Sequence, residues 1–64
     1  MTSVNATLVS IMAQIAAAQA RVAGMDAENV AQLQLDRPPA YRLNDFLAEA
    51  QILETLSVKA TTSA

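Results

Sequence analysis

Residues 4–25, VNATLVSIMAQIAAAQARVAGM, decide the fold. Val4, Leu8, Ile11, Ile15, Ala18, Val22 and Met25 follow one another at intervals of four, three, four, three, four and three. That spacing holds one apolar stripe on one side of a helix for three heptads, the mark of a side that packs lengthwise on another helix. From Thr2 to Ala20 no side chain is charged. With Leu8, Ile15 and Val22 at a and Val4, Ile11, Ala18 and Met25 at d, the e positions hold Asn5, Met12, Gln19 and Asp26. The g positions hold Thr7, Gln14 and Arg21. An exposed two-stranded coil carries Glu/Lys pairs at e and g; here they are mostly neutral. Outer positions are occupied by Ala6, Ala13 and Ala20 at f, and by Val9, Ala16 and Ala23 at b. A helix apolar on all sides belongs inside something larger. Small residues on several sides point to a multi-helix or tubular packing rather than an isolated dimer.

Outward from this stretch, 64 residues allow a single small domain, 1–64. Ser3 or Asn5 can cap the first helix, expected over about 4–23. Gly24 suits either a left-handed helix end or a mere interruption of one longer helix. Asp26 can cap a short helix over about 27–35, with Glu28 in its first turn and Ala27, Val30, Ala31 and Leu33 as its narrow apolar side. Asp36-Arg37-Pro38-Pro39 is the firmest break, because a residue before proline is pushed out of the α region. A last helix over about 40–58 follows, Pro39 suiting its first turn. Its main stripe is Leu43, Phe46, Leu47, Ala50 and Leu53, with Tyr41, Ile52 and Leu56 opposite. Residues 60–64 read as a frayed tail. No alternating run or hairpin signal predicts a strand. The class is all-α: two to three helices in a hairpin or bundle completed by other subunits.

Composition removes most chemistry. The chain has neither cysteine nor histidine, so disulfides, common zinc sites and Ser-His or Cys-His catalysis are excluded. Gly24 is its one glycine, which rules out a Gly-rich phosphate loop. A Ser-Lys pair would need Lys59, close to the expected fraying end. Arg21, Arg37, Arg42 and Lys59 are dispersed in a chain of net charge −2, so no phosphate-tracking patch exists and nucleic acid is not an expected partner. Asp45 and Glu49, four apart, share a helix side with Arg42 and read as a solvated or interface-lining strip, since no further oxygen ligands converge on them. No enzyme activity, cofactor, metal or small-molecule substrate is expected.

A secretory signal would open on basic residues, and none precedes the apolar run. Ser3, Asn5, Thr7, Ser10, Gln14 and Gln19 argue against a membrane span, and no Lys/Arg side supports interfacial binding. A short chain without disulfides and with an alanine-rich core gains stability by association. Val4, Leu8, Ile11, Met12, Ile15, Ala18, Val22 and Met25 are the expected interface of the first helix. Leu43, Phe46, Leu47, Ala50 and Leu53 are that of the last, and Tyr41, beside the double proline, is an anchor of a recognition surface or a cover for the base of that helix.

Leu43-Asn44-Asp45-Phe46-Leu47, followed by Gln51, resembles the C-terminal helix of flagellar rod-adaptor and type III secretion needle or inner-rod proteins. Those are small helical subunits that stack into tubes; the likeness spans under a third of the chain and implies no residue roles. The expectation is a non-enzymatic structural subunit present in many copies, in a phage or virion particle or a secretion or flagellar-type tube. Its partners are copies of itself or other proteins of that assembly. A small helical adaptor docking on one larger protein is the alternative, and a membrane-associated helical peptide the third reading.

Overall fold

The computed structural model describes residues 6–63: two α-helices, α1 (Ala6–Gln34) and α2 (Leu43–Ser63), joined by residues 35–42. Among the described residues there is no strand. Val4, the capping candidates Ser3 and Asn5, and Ala64 lie outside them.

The two helices fold back on each other. Their Cα atoms fill 54 × 21 × 9 Å, a slab one helix thick, with a radius of gyration of 15.5 Å. A compact domain of this length has a radius of gyration near 11 Å.

The heptad stripe of α1 faces α2. Ile11, Ala18 and Met25, seven apart, are buried, and Leu8, Ile15 and Val22 are half-buried between them. The same 3–4 spacing continues past Met25 to Asn29 and Gln32, also half-buried. On α2 the matching row is Phe46, Glu49, Leu53, Leu56 and Ala60, with Leu56 buried. The expected stripe of the last helix therefore splits. Phe46 and Leu53 turn toward α1, while Leu43, Leu47 and Ala50 are exposed. Leu56, expected on the opposite side, is in the core. A helix apolar on two sides has two candidate seams; the one chosen buries Phe46, Leu53 and Leu56 rather than the small Ala50.

Gly24 does not end α1. Its φ is negative, and the expected separate helix over 27–35 is the last part of one continuous helix. Glycine in a helix costs about 1 kcal/mol against alanine; extending α1 carries Met25 and Asn29 onto α2, which offsets that cost. The helix ends instead at Gln34 and is closed by Asp36, whose φ is 56°. Arg37 N–H donates to Gln32 C=O at 2.9 Å and Asp36 N–H to Leu33 C=O at 3.0 Å. This pair is the Schellman closure, in which a left-handed residue satisfies the last free carbonyls.

The last helix starts at Leu43, not near 40. Both backbone groups of Tyr41 are held by Asn29, whose Oδ1 accepts from the amide and whose Nδ2 donates to the carbonyl. Arg42 is then the N-cap residue, and Asp45 Oδ2 accepts its backbone N–H at 2.9 Å, one half of a capping box. At the far end α2 runs to Ser63 rather than fraying from 60. Thr61 and Thr62 hydroxyls donate to carbonyls of the preceding turn, those of Ser57, Val58 and Lys59.

Candidate interaction surfaces

A slab one helix thick has two broad faces, and the residues beside the seam decide their character. One face takes the positions just before each seam residue. From α1 these are Thr7, Ser10, Gln14, Arg21, Gly24 and Glu28; from α2 they are Asp45, Ala48, Ile52, Thr55 and Lys59, and the two sets line shared grooves. Ser10 accepts from Gln14 Nε2, and Glu28 Oε1 accepts from Gln32 Nε2 at 3.0 Å. Arg21 Nε donates to Glu49 Oε1 at 2.9 Å across the two helices. The expected strip of Asp45 and Glu49 is thus divided between two jobs. Asp45 caps α2 through the Arg42 backbone, and Glu49 sits in the seam, paired with an arginine 28 residues away. The sequence signal for that pairing was the 46-49-53-56-60 row, which places Glu49 toward α1.

Near the connection an open groove of about 700 Å³ runs between the helices, lined by Arg21, Glu28, Tyr41, Asp45 and Glu49 among others. Tyr41 stands at its edge. Among the described residues no group of three or more aspartates or glutamates is placed to hold a metal ion. Arg21 and Asp45 are already engaged within the hairpin.

The opposite face takes the position after each seam residue. Along α1 this row is Val9, Met12, Ala16, Gln19, Ala23, Asp26, Val30 and Leu33, all exposed. Along α2 it includes Leu43, Leu47, Ala50 and Glu54, also exposed. Val30 and Leu33 share a shallow apolar groove with Pro39. Charge is sparse here: Asp26, Glu54 and, at the edge of the Val30–Leu33 groove, Arg37, against Arg21, Glu28, Asp45 and Lys59 on the other face. The large exposed side chains of this face would cost about 25 cal/mol per Å² of apolar area left in water.

Of the residues expected at an interface, Leu8, Ile11, Ile15, Ala18, Val22, Met25, Phe46 and Leu53 meet within the hairpin. Met12, Leu43, Leu47 and Ala50 are exposed along the apolar face, and Tyr41 lies apart at the groove. Val9, Val30 and Leu33 complete the apolar face and were not expected there. Their 3–4 spacing with Met12, one position off the main seam, is the signal that finds them.

No protein family, curated protein or solved structure matches the chain. The likeness of 43–47 to tube-forming subunits is carried by those five residues and Gln51 alone.

Proposed function

We propose that the chain is a non-enzymatic structural subunit, present in many copies in a larger protein assembly. A phage or virion particle and a secretion or flagellar-type tube are the candidate settings. One observation carries this reading. The chain exposes 4821 Å², whereas a compact monomer of 6.8 kDa exposes about 3,950 Å². Buried side chains among the described residues are Ile11, Ala18, Met25 and Leu56, a thin core for a free-standing protein. Two helices cover one stripe on each other and leave both broad faces of the pair exposed. Since α2 covers the heptad seam of α1, contacts between copies fall to the remaining sides of this alanine-rich helix, which carries no charge before Arg21.

Size-exclusion chromatography with light scattering tests the reading. Oligomers that grow or persist across micromolar concentrations are expected; a helical monomer throughout would overturn it. A second reading has one observation in its favour: α1 is long and apolar enough, by length and composition, to cross a membrane. On that reading the protein floats with lipid vesicles of neutral composition. Retention in the soluble fraction sinks it.

A further inference from the structure

The outer row of α1 on the apolar face has an order of its own. Positions 9, 12, 16, 19, 23, 26, 30 and 33 hold Val, Met, Ala, Gln, Ala, Asp, Val and Leu. Turned end for end about its midpoint, the row maps 9 onto 33, 12 onto 30, 16 onto 26 and 19 onto 23. Large apolar residues then fall on large apolar residues, and each central polar residue falls on an alanine. Val9, Met12, Val30 and Leu33 are 49%, 58%, 48% and 74% exposed in the single chain.

From this self-complementary order we infer that a second copy of the chain covers the apolar face, with α1 antiparallel to α1 of the partner about a two-fold axis. The inference rests on the assembly reading above and names its first contact, a four-helix unit of two stacked hairpins. A two-fold contact uses the same patch on both subunits, so the patch must complement itself when rotated by 180°. A dissimilar partner would place no such demand on the sequence. Asp26 of each copy meets Ala16 of the other and stays about 15 Å from the other Asp26, ten residues away at 1.5 Å per residue. The central Ala16 and Ala23 let the two helices approach closely, and the larger residues at both ends fill the space beyond. The amount of surface also fits. The chain exposes about 900 Å² more than a compact monomer of its mass, close to the roughly 800 Å² each partner buries in a standard interface.

Because the sequence has no cysteine, single cysteines report the register directly. Chains carrying Met12→Cys and Val30→Cys are each treated with a short bismaleimide, alone and as a mixture. Covalent dimer is expected in the mixture and not from either alone, since equivalent positions 12 lie about 27 Å apart across the axis. Leu33→Lys, on this face, is expected to weaken association at least tenfold with helicity unchanged by circular dichroism. Ile52→Lys, on the polar face, should leave association as it was. Efficient cross-linking of Met12→Cys with itself, no cross-link in the mixture, or full association of Leu33→Lys overturns the inference while the assembly reading stands. A monomeric parent protein overturns both.

Discussion

The side-chain amide of Asn29 closes on the backbone of Tyr41, Nδ2 donating to the carbonyl and Oδ1 accepting from the amide, each at 2.9 Å. This pairing holds the connection against α1 and sets where α2 can begin. Two hydrogen bonds of this kind contribute about 1–2 kcal/mol together. Asn29→Ala should therefore lower the unfolding free energy by that amount, read from the urea midpoint and its m-value. Asn29→Asp should be at least as damaging, because a carboxylate oxygen would replace the Nδ2 donor and face the Tyr41 carbonyl. An aspartate variant as stable as the parent would show that the pairing holds nothing.

Gly24 is an exposed helical residue, and a Cβ built on it meets nothing within 4 Å. Its backbone conformation is one that any residue adopts. Gly24→Ala should stabilise the hairpin by roughly 0.5–1 kcal/mol, through the unfolded chain and helix propensity together. Thermal melts followed at 222 nm check this. A loss of stability would mean that the glycine serves a close approach between copies.

Asp36 is the one described non-glycine residue with positive φ, and it sits at the negative end of the α1 dipole. Both features are unfavourable for aspartate, though it tolerates the left-handed region better than most residues. Asp36→Gly should raise stability by up to about 1 kcal/mol at low salt. Asp36→Val should lower it, since a β-branched side chain resists that region.

The fold was legible in the sequence as far as apolar spacing reached. Val4 to Met25 told where α1 would meet another helix, but not which helix. A seam reads the same whether its partner lies in the same chain or in another. Its continuation through Asn29 and Gln32 was obscured because those residues are polar, and Gly24 invited a break that tertiary contacts overrode. Asp36-Arg37-Pro38-Pro39 marked a break after the helix, but the left-handed Asp36 that closes α1 gave no signal of its own. On α2, Leu43 and Leu47 outweighed Glu49 by hydrophobicity, yet Glu49 faces α1 because it shares the row of Phe46, Leu53 and Leu56, and Arg21 meets it there. The apolar outer face was visible only in pieces, as residues assigned to several heptad positions.

The Arg21–Glu49 pair links the helices with unequal exposure: the glutamate side chain is 15% exposed and the arginine 49%. The arginine's contact with water keeps the coupling within the range of surface pairs, about 0.5–1 kcal/mol in a double-mutant cycle. Raising the salt should shrink it. Arg21→Ala should cost more than Glu49→Gln, because it leaves a largely covered carboxylate without its partner, whereas glutamine remains neutral there. Equal costs would mean that water reaches Glu49 freely.

Ala18 is 0% exposed, midway along the seam, while its neighbours Ala16 and Ala17 are exposed. Three successive alanines thus differ only in where the helix points them. At Ala18 the small side chain is what lets α1 and α2 come close, so Ala18→Leu must push the helices apart and loosen the contacts of Ile11 and Met25 on either side. Overpacking of this kind costs about 1–3 kcal/mol, a large share of what so thin a core can supply. Ala17→Leu, on the polar face, adds the same atoms with no neighbour to displace and should change stability by under about 0.5 kcal/mol. Ala16→Leu leaves the single hairpin equally undisturbed but crowds the alanine-lined centre of the apolar face, so its effect should appear only in association. Comparing the three variants by denaturation at low concentration and by light scattering at high concentration separates the inner seam from the outer face. If Ala17→Leu were the most destabilising, the orientation of α1 on α2 would be wrong by one residue.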